Sequence, residues 1–497
     1  MGGGLIQIAA YGIENYYLTE DPQITYFKVV YRRHTNFSIE SIPQYFNIKG
    51  NFSNRVSCTI SKIGDLINKI YVVIDLPNIP TLPNNAKVRW INNIGYGIIK
   101  TVEFEIGGKI IDSAYGDWLY IWNELNKNGN IQGLDTIIGN VPELIDYSSS
   151  KDSYRLYVPL SFYFCRNVSL SLPIIALEYN EVKINVEFND ISNCLIVGPT
   201  HYICLEDSVC LFKSYEMLQI DDTDSYVQFI NFDNSSLKMG YIKMDNNVNL
   251  TVGMILTGLE TKYQSKVYDP STNQFKMIKT NNEILNLTKS NMTFRNIYNL
   301  TLADTYLLVD YVYLDNLERL KFARSNHEYL IDVCQFDNDK TIFNSNNKIK
   351  VGYFNPTKEI IIRAQYDYMI NDYYKDTFNY TTSFNTDNAK SLIKKIMIKL
   401  NGFNREIDYD KIFYTYTQAF QHHNSYPPLG LFMYSFSLNP FDNQPSGSCN
   451  FSKIDDISID ITVEPISYNK TAKIKIYAIS WNIFRIMDGI GGLVFNS

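Results

Sequence analysis

Four side chains that could together bind a metal ion lie within 17 positions of the chain. They are Cys194, His201, Cys204 and Cys210. Thiolate and imidazole groups are typical zinc ligands, but structural zinc sites usually pair their cysteines at a C-x2-C spacing, which this segment lacks. Cys204 and Cys210 also have apolar neighbours, and cysteines in such surroundings are commonly buried. We therefore interpret these cysteines as free thiols and expect no metal site.

The other reactive residues do not form a recognisable catalytic set. The chain has only five histidines, and the adjacent pair His422-His423 would point to opposite faces of a strand. Carboxylate pairs such as Asp221-Asp222 occur in turn-like surroundings. The sequence contains no G-x-S-x-G elbow, phosphate-binding loop, dinucleotide fingerprint or H-E-x-x-H motif. It therefore predicts no enzyme activity and no cofactor.

The net charge and the number of cysteines limit which partners and which cellular compartment suit the protein. The chain has 45 lysine and arginine residues against 52 aspartate and glutamate residues, so its net charge is −7. It lacks the basic footprint of a nucleic-acid-binding protein, and we interpret Arg32-Arg33-His34 and Lys394-Lys395 as solvated strand edges. An odd count of seven cysteines suits a reducing compartment. Because we find no signal-peptide pattern and no apolar run of about 18 residues, we expect a soluble intracellular product.

One β pattern occurs twice, about 290 residues apart. Residues 101–112 read TVEFEIGGKIID, in which apolar residues alternate with polar ones before a Gly-Gly pair. Residues 395–406 read KIMIKLNGFNRE, with the same alternation before an Asn-Gly pair. Alternation that runs into such a pair is a strong hairpin signal, because both turn residues need a positive φ. Both copies are therefore predicted to be β-hairpins.

The agreement continues downstream of each hairpin. In the first copy, alternation at 158–164 precedes a second alternating run at 182–188. In the second copy, alternation at 429–433 precedes that at 457–463. This ordered series favours a tandem duplication of one all-β domain over a long β protein with coincidental similarities. A chain of 497 residues has room for two such domains.

The remaining segments suggest how the chain is divided. Strand signals begin at Ile24 and recur to Tyr31, and a helix is predicted over 116–126, where large apolar residues share one face and form a core plug. An Asn-rich stretch has no counterpart in the second copy. We expect an N-terminal arm (1–26), a first domain (27–318) with an insertion (about 190–300), a charged linker (319–326) and a second domain (327–497).

A series of strings along the chain carries a family resemblance. They are GGGLIQIAAYGIENYYLTEDPQITYFKVVYRRHTNF, EIGGKIID, GDWLYIW, VPLSFYFCRN, LPIIALEYNEVKINVEF, VDYVYLDNLERLKFARSNHEYLI, FQHHNSYPPLGLFMYSFSLNP, QPSGSCNFSKID and IYAISWNIFRIMDGIGGL. They closely resemble the major capsid proteins of nucleocytoplasmic large DNA viruses, including the chlorella-virus, iridovirus and mimivirus relatives. The strings lie in the expected order from residue 2 to about residue 493, so the match is more specific than any single motif.

The resemblance implies an all-β double jelly roll, that is, two tandem eight-stranded antiparallel sandwiches with short helices in loops. It also implies that three chains form a capsomer of near-sixfold outline for an icosahedral shell. The protein would be assembled in the host cytoplasm into the virion. Its partners would be its own copies in a homotrimer, neighbouring capsomers and minor capsid proteins. We expect no direct nucleic-acid contact, and contact with an inner membrane only through other proteins. The insertion would project from the outer face of the capsomer.

Assembly would depend on interfacial residues. By resemblance, residues 2–20 should lie on the inner side and contact neighbours or minor capsid proteins. Residues 31–37 and 421–426 are expected at domain or trimer contacts, although both strings could equally close the ends of their own sandwiches. The assembly candidates are Gly2, Leu5, Tyr16, Tyr17, Tyr31, Arg32, Arg33, His34, Gln421, His422 and His423.

Two other functions stay open. A minor or paralogous capsid protein of the same fold would have the same sequence features, because copy number is not encoded. A jelly-roll carbohydrate-binding protein is a less favoured alternative, since we find no convincing calcium or catalytic cluster. A stable trimer of about 172 kDa, three times 57.5 kDa, would favour the capsid function. A monomer with glycan affinity would favour the lectin.

Overall fold

The computed structural model of the protein describes most of the chain. The described residues are 3–10, 12–82, 87–127, 131–198, 201–207, 210–213, 216–223, 225–233, 239–243, 250–251, 253–268, 299–370, 375–382, 389–405, 409–465 and 471–495. None of the helices in these ranges combines the length and apolar character that a membrane span requires.

Strands make up most of the regular structure in these ranges. In chain order they are β1 (Phe37–Tyr45), β2 (Arg55–Thr59), β3 (Leu66–Leu76), β4 (Lys87–Trp90), β5 (Ile99–Ile106), β6 (Lys109–Tyr115), β7 (Tyr154–Pro159), β8 (Val182–Phe188), β9 (Leu195–Gly198), β10 (His201–Leu205), β11 (Met217–Ile220), β12 (Tyr226–Asp233), β13 (Met239–Lys243), β14 (Ile255–Gly258), β15 (Gln264–Tyr268), β16 (Thr305–Leu314), β17 (His327–Phe336), β18 (Lys340–Ile342), β19 (Asn346–Lys350), β20 (Pro356–Tyr366), β21 (Ile393–Leu400), β22 (Phe403–Asn404), β23 (Leu431–Ser435), β24 (Cys449–Asn450), β25 (Ile457–Val463), β26 (Ala472–Met487) and β27 (Ile490–Leu493).

The helices are short. The α-helices are Gly3–Ala9, Ile13–Thr19, Ile94–Gly97, Gly116–Leu125, Ile131–Ile138, Pro142–Ile145, Tyr163–Arg166, Ile191–Cys194, Asn316–Arg324, Asp367–Ile370 and Gln418–His422. Single turns of 3-10 helix occur at Val168–Leu170, Ile174–Ala176 and Phe451–Lys453, and a π-helical turn at Phe413–Thr417. Apart from the two helices at the N-terminus, these helices lie in the connections between strands.

Two sandwiches with the same strand order form the body of the protein. In the first, the sheet β1-β16-β3-β7 faces the sheet β2-β8-β5-β6. In the second, β17-β26-β20-β23 faces β19-β25-β21-β22, and β18, β24 and β27 extend the former sheet. Each sandwich places its first, eighth, third and sixth strands in one sheet and its second, seventh, fourth and fifth in the other. This is the order of a jelly roll, so the predicted double jelly roll is confirmed.

Both predicted hairpins are present and occupy equivalent positions. The turn between β5 and β6 has Gly107 and Gly108 at φ values of 56° and 82°. The turn between β21 and β22 has Asn401 and Gly402 at 50° and 82°. Two successive residues with positive φ match the right-handed twist of the flanking strands. Because glycine and asparagine adopt positive φ more readily than other residues, their presence correctly indicated both turns. In both jelly rolls this hairpin joins the fourth and fifth strands.

The two ends of the first jelly roll carry different features. Because all paired strands are antiparallel, the connections β1–β2, β3–β5, β6–β7 and β8–β16 lie at one end, which we call the insertion end. The opposite end, which we call the arm end, holds the segment before β1, the turn between β5 and β6, and the exit of β16. The N-terminal arm and the insertion therefore leave the first jelly roll in opposite directions.

The insertion contains a separate closed barrel. Six strands form it, in the order β10-β13-β12-β11-β14-β15. Its core is distinct from those of the jelly rolls and consists of Ile203, Leu205, Phe212, Leu218, Ile220, Val227, Phe229, Ile242, Leu250, Leu256 and Val267. The barrel is anchored at the insertion end, where β4 pairs with β9 and the Tyr147 hydroxyl donates to Gln228 Oε1 at 2.7 Å. No local pattern in this stretch predicted the barrel.

Two segments differ from the sequence predictions, and a third, the charged connector, contains a helix that the sequence pattern did not predict. The strand signals from Ile24 to Tyr31 do not produce a strand, since β1 begins at Phe37. The alternation at 158–164 ends as a strand at Pro159, and a short helix follows. The charged connector contains the Asn316–Arg324 helix, whose first turn is capped by Asp315 accepting the Glu318 N–H. For residues 24–31, the local pattern did not reveal that no described strand pairs with the segment.

Candidate assembly surfaces

The predicted helix at 116–126 is confirmed as Gly116–Leu125 and lies where the jelly rolls meet. Its apolar face is buried, as the sequence predicted. The Trp118 ring lies 5.3 Å from that of Tyr477 in the second jelly roll, and the Trp122 ring 4.3 Å from Phe441. The plug therefore joins the two jelly rolls and does not only close the edge of one.

A buried ion-pair cluster crosses the same junction. Asp117 Oδ2 accepts hydrogen bonds from Arg363 Nη2 at 2.6 Å and from Lys475 Nζ at 2.8 Å. The side chains of Asp117 and Arg363 are only 10% and 6% exposed, respectively. Burial alone would raise the pKa of Asp117, but the two cations outweigh it and hold the pKa well below its usual range. The carboxylate stays ionised between two cations from the other jelly roll.

A second ionic cluster lies beside it. Asp332 pairs with Lys358 Nζ at 2.7 Å and with Arg166 Nη1 at 3.3 Å, so it links a residue of each jelly roll. Both cations also lie over aromatic rings: Arg166 is 3.7 Å from the ring centre of Trp122, and Lys358 Nζ 4.0 Å from that of Trp481. Such contacts compensate part of the cost of burying the charges.

Asp112 is a buried carboxyl group within the junction. Its Oδ1 accepts the backbone N–H of Cys334 at 3.2 Å and that of Ser113 at 2.9 Å. Burial raises the pKa of Asp112 to about 7, although Arg166 and the two N–H groups oppose this effect. The junction therefore contains one carboxyl group that titrates near neutrality.

The string around His422-His423 lies against the same junction. His423 Nε2 is 2.6 Å from Glu359 Oε1, and both side chains are fully buried. Ser425 Oγ donates to the Glu124 carbonyl in the first jelly roll at 2.6 Å. By contrast, Gln421 is exposed, and His422 Nδ1 lies 2.8 Å from the Leu438 carbonyl at the surface. Within the chain, this string makes contacts between the jelly rolls.

The candidates between Gly2 and His34 are exposed wherever the structure describes their side chains. Leu5 is 61% exposed and Tyr31 78%, and Arg32, Arg33 and His34 are exposed as well. Tyr16 and Tyr17 belong to the Ile13–Thr19 helix, but their side chains, like all of Gly2, lie outside the described residues. Among the described groups, no hydrogen bond, ion pair or ring contact joins Tyr31–His34 to the 421–423 string. The candidates therefore fall into two separate groups.

The metal candidates can be placed only in part. Cys194 is fully buried and Cys210 is half-buried, while the side chains of His201 and Cys204 are not among those the structure describes. Burial raises the pKa of the Cys194 thiol to about 12. Within the described ranges, no three His, Cys, Asp or Glu residues are grouped as metal ligands would be.

Sequence reasoning missed the charged junction. Its signal is a charge inside an otherwise apolar strand, as in PTKEIIIRAQY of β20, where Lys358, Glu359 and Arg363 are all buried. Such a charge needs a partner, but the partner is remote in sequence. Arg363, for example, lies 246 residues from Asp117.

Comparisons with known proteins agree on one family. Two family models match the chain, the major capsid protein N-terminus over residues 25–233 and the large eukaryotic DNA virus major capsid protein over residues 318–492. A relative from Acanthamoeba polyphaga mimivirus, named probable capsid protein 4, is 40% identical, and the match covers 100% of both chains. The major capsid protein of Pyramimonas orientalis virus is 31% identical, again over 100% of both chains.

Solved structures share the fold. The quasi-atomic model of the PBCV-1 virus capsid matches with a TM-score of 0.63 and 24% identity, over 95% of this chain and 100% of that chain. The Faustovirus major capsid protein matches with a TM-score of 0.67 and 12% identity, over 97% and 96% of the two chains. At these identities the likeness shows the double jelly-roll fold.

Proposed function

The chain belongs to the major capsid protein family of nucleocytoplasmic large DNA viruses and has a structural role in the virion capsid, and on this premise we propose that three copies associate into a capsomer that tiles an icosahedral shell. The observation that carries the proposal is the repeated strand order of the two jelly rolls. Three chains then supply six similar sandwiches, which suits a near-hexagonal outline.

The ionic junction supports this proposal because it makes one unit of the two jelly rolls. Asp117 and Asp332 each form ion pairs across the junction, and the aromatic plug packs between the two jelly rolls. A large and well-packed interface limits relative domain motion. A capsomer needs such rigidity, since its six lobes must keep fixed angles to their neighbours. In this proposal the chain divides into the arm (1–26), the first jelly roll (27–318), the linker (319–326) and the second jelly roll (327–497).

The opposite directions of the arm and the insertion support a polarity for the capsomer. We place the barrel in the insertion on the outer face, where its bulk does not disturb packing between subunits. The arm then lies on the inner face, where its exposed apolar residues contact neighbouring copies or minor capsid proteins. Contact with an inner membrane would pass through those proteins, and the protein would have neither enzyme activity nor direct contact with nucleic acid. Assembly would take place in the host cytoplasm.

Native mass spectrometry of the purified full chain tests the association. The expected species is a trimer of about 172 kDa, three times 57.5 kDa, with a six-lobed outline in negative-stain images. A monomer at micromolar concentration, especially one that binds glycans, would contradict the proposal.

A minor or paralogous capsid protein is the second candidate. It is favoured by the 40% identical relative, whose name is a numbered capsid protein and not a major one. Quantitative proteomics of purified virions separates the two. A major capsid protein is the most abundant chain of the particle, whereas a paralogue is present in far fewer copies.

A further inference from the structure

Residues 24–31, which we call the arm segment, have the composition of a β-strand but form none. They read ITYFKVVY, in which seven of eight residues are β-branched or aromatic, and the segment contains neither glycine nor proline. These residue types are enriched in strands because they pack well on a pleated surface. Yet none of the described residues before Phe37 belongs to a strand. The local preference of the segment is unfulfilled within one copy of the chain.

The arm segment is also uncovered. Phe27 is 97% exposed, Val29 91% and Tyr26 87%, so apolar side chains on both faces are in water. No backbone hydrogen bond connects the segment with any other part of the chain that the structure describes. This much exposed apolar surface marks an interaction site. Its partner should offer both an unpaired strand edge and apolar surface.

Three of the four edge strands of the first jelly roll have another part of the chain beside them. The edge of β2 is occupied by Asn47, whose N–H donates to the Ser57 carbonyl at 2.8 Å. The edge of β6 faces the second jelly roll, where Asp112 accepts the Cys334 N–H. The Ile131–Ile138 helix packs beside β7. The remaining edge strand is β1, whose outer side pairs with no described strand.

The β1 edge matches the arm segment in length, surface and charge. Its residues Phe37–Ile42 precede Pro43, which cannot donate a ladder hydrogen bond, so the usable edge is about as long as the segment. Phe37 and Ile39 are about half exposed, Glu40 is exposed, and the next residue, Ser41, donates to Asp310 of β16 at 2.5 Å. The arm segment carries Lys28 and is followed by Arg32-Arg33. The basic and apolar side chains of the arm segment therefore complement the acidic and apolar side chains of the β1 edge.

The four edge strands of the second jelly roll fit less well, and one of them, β22, has only two residues. The edge strand β19 carries Lys348 and Lys350, both exposed, and these would repel a basic segment. Beside β23, Gln418 Oε1 accepts the Ser435 N–H at 2.9 Å, which occupies that edge. The outer side of β17 faces β6 of the first jelly roll.

We propose that the arm segment of one copy adds as a strand to the β1 edge of a second copy. The inference rests on the proposed association of copies. In one copy, residues 32–36 between the segment and β1 contain no turn or bend, so the chain does not close this hairpin on itself. Every copy offers both the segment and the edge, and exchange of an identical element is a low-cost route to association.

Cysteine cross-linking between differently tagged copies tests the proposal. One full-length form carries Phe27→Cys, Val29→Cys or Tyr31→Cys, and the other carries Phe37→Cys, Ile39→Cys or Ser41→Cys, so that the register is scanned. The two forms are co-expressed and the assembled protein is oxidised mildly. The control replaces the β1 cysteine with Tyr157→Cys, on β7 at the opposite edge of the same sheet. A control without introduced cysteines reports the background from native thiols.

For the β1 positions, the expected result is a reducible adduct of about 115 kDa, twice 57.5 kDa, that carries both tags. For the β7 control, the amount of adduct should stay at the background level. Equal adducts at both edges would overturn the proposal. So would the absence of any adduct while native mass spectrometry shows an intact trimer. A monomeric chain without adducts would instead contradict the proposed function, and this inference with it.

Discussion

Replacing Asp117 with asparagine tests whether buried charges join the two jelly rolls. The substitution keeps the volume of the side chain but removes the charge that Arg363 and Lys475 share at 2.6 and 2.8 Å. Breaking a buried ion pair by neutralising one partner typically costs about 3–5 kcal/mol, because the remaining charge is buried without compensation. Since the asparagine oxygen can still accept one hydrogen bond, we expect a loss near the lower end, about 3 kcal/mol.

A surface pair provides the matched control. Glu187 pairs with Lys100 at 2.7 Å, but the two side chains are 30% and 57% exposed. Exposed pairs contribute little, so Glu187→Gln should cost less than about 1 kcal/mol. Urea unfolding followed by fluorescence and by far-UV circular dichroism measures both variants against the original chain. If Asp117→Asn shifts the urea midpoint no more than Glu187→Gln does, the buried charges do not join the two jelly rolls.

The pH dependence gives an independent check. The folded-state pKa of Asp117 lies below its ordinary value of 3.8, so its contribution is present at neutral pH and is lost as the pH falls below about 4. Above that range, the difference in stability between the original chain and Asp117→Asn should be constant. Below it, the two chains should converge.

Three further changes have defined outcomes. Asp112→Asn should stabilise the protein above pH 7 by up to about 4 kcal/mol. The folded-state pKa of Asp112, about 7, exceeds the ordinary value of 3.8, so the original chain loses stability as the pH rises between these two values, whereas the variant does not. Melting temperatures of both chains from pH 4 to 8 would reveal the difference. Deleting residues 2–20 should leave a folded trimer that assembles poorly, because apolar side chains of the deleted helices such as Ile8, Ile13 and Leu18 are exposed and add nothing to the cores of the jelly rolls. Normal shell formation in an assembly assay would contradict this. Leu218→Ala, in the barrel core, should lower the local stability of the barrel by about 2–5 kcal/mol. Hydrogen exchange should therefore accelerate in residues 201–268 and stay unchanged in β3 and β20. Protection lost equally in all three regions would contradict an independently stable barrel.

The features that were predictable from the sequence are those specified by neighbouring residues. Alternation followed by Gly107-Gly108 or Asn401-Gly402 encodes a hairpin, since the turn geometry depends on the turn residues alone. The ordered repetition of these signals, together with the family resemblance, was enough to predict two jelly rolls. The apolar face of the Gly116–Leu125 helix was also correct, although its spacing could not show that the face meets the second jelly roll.

What was missed depends on residues distant in the sequence. Closure of the barrel requires β10 to pair with both β13 and β15, which no local pattern specifies. The arm segment has the composition of a strand, yet it pairs with no strand that the structure describes. The charged junction brings together carboxylates and cations from the two halves of the chain. Sequence patterns report local preference, whereas these features arise from tertiary neighbours.

A cryo-electron microscopy reconstruction of the virion tests the central claim most directly. We expect capsomers of three copies, each with its two jelly rolls side by side, the barrel in the insertion on the outer surface and the N-terminal arm toward the genome. Capsomers with the barrel between subunits or on the inner face would contradict the polarity. Shell density that no trimer of this chain fits would contradict its role in tiling the shell.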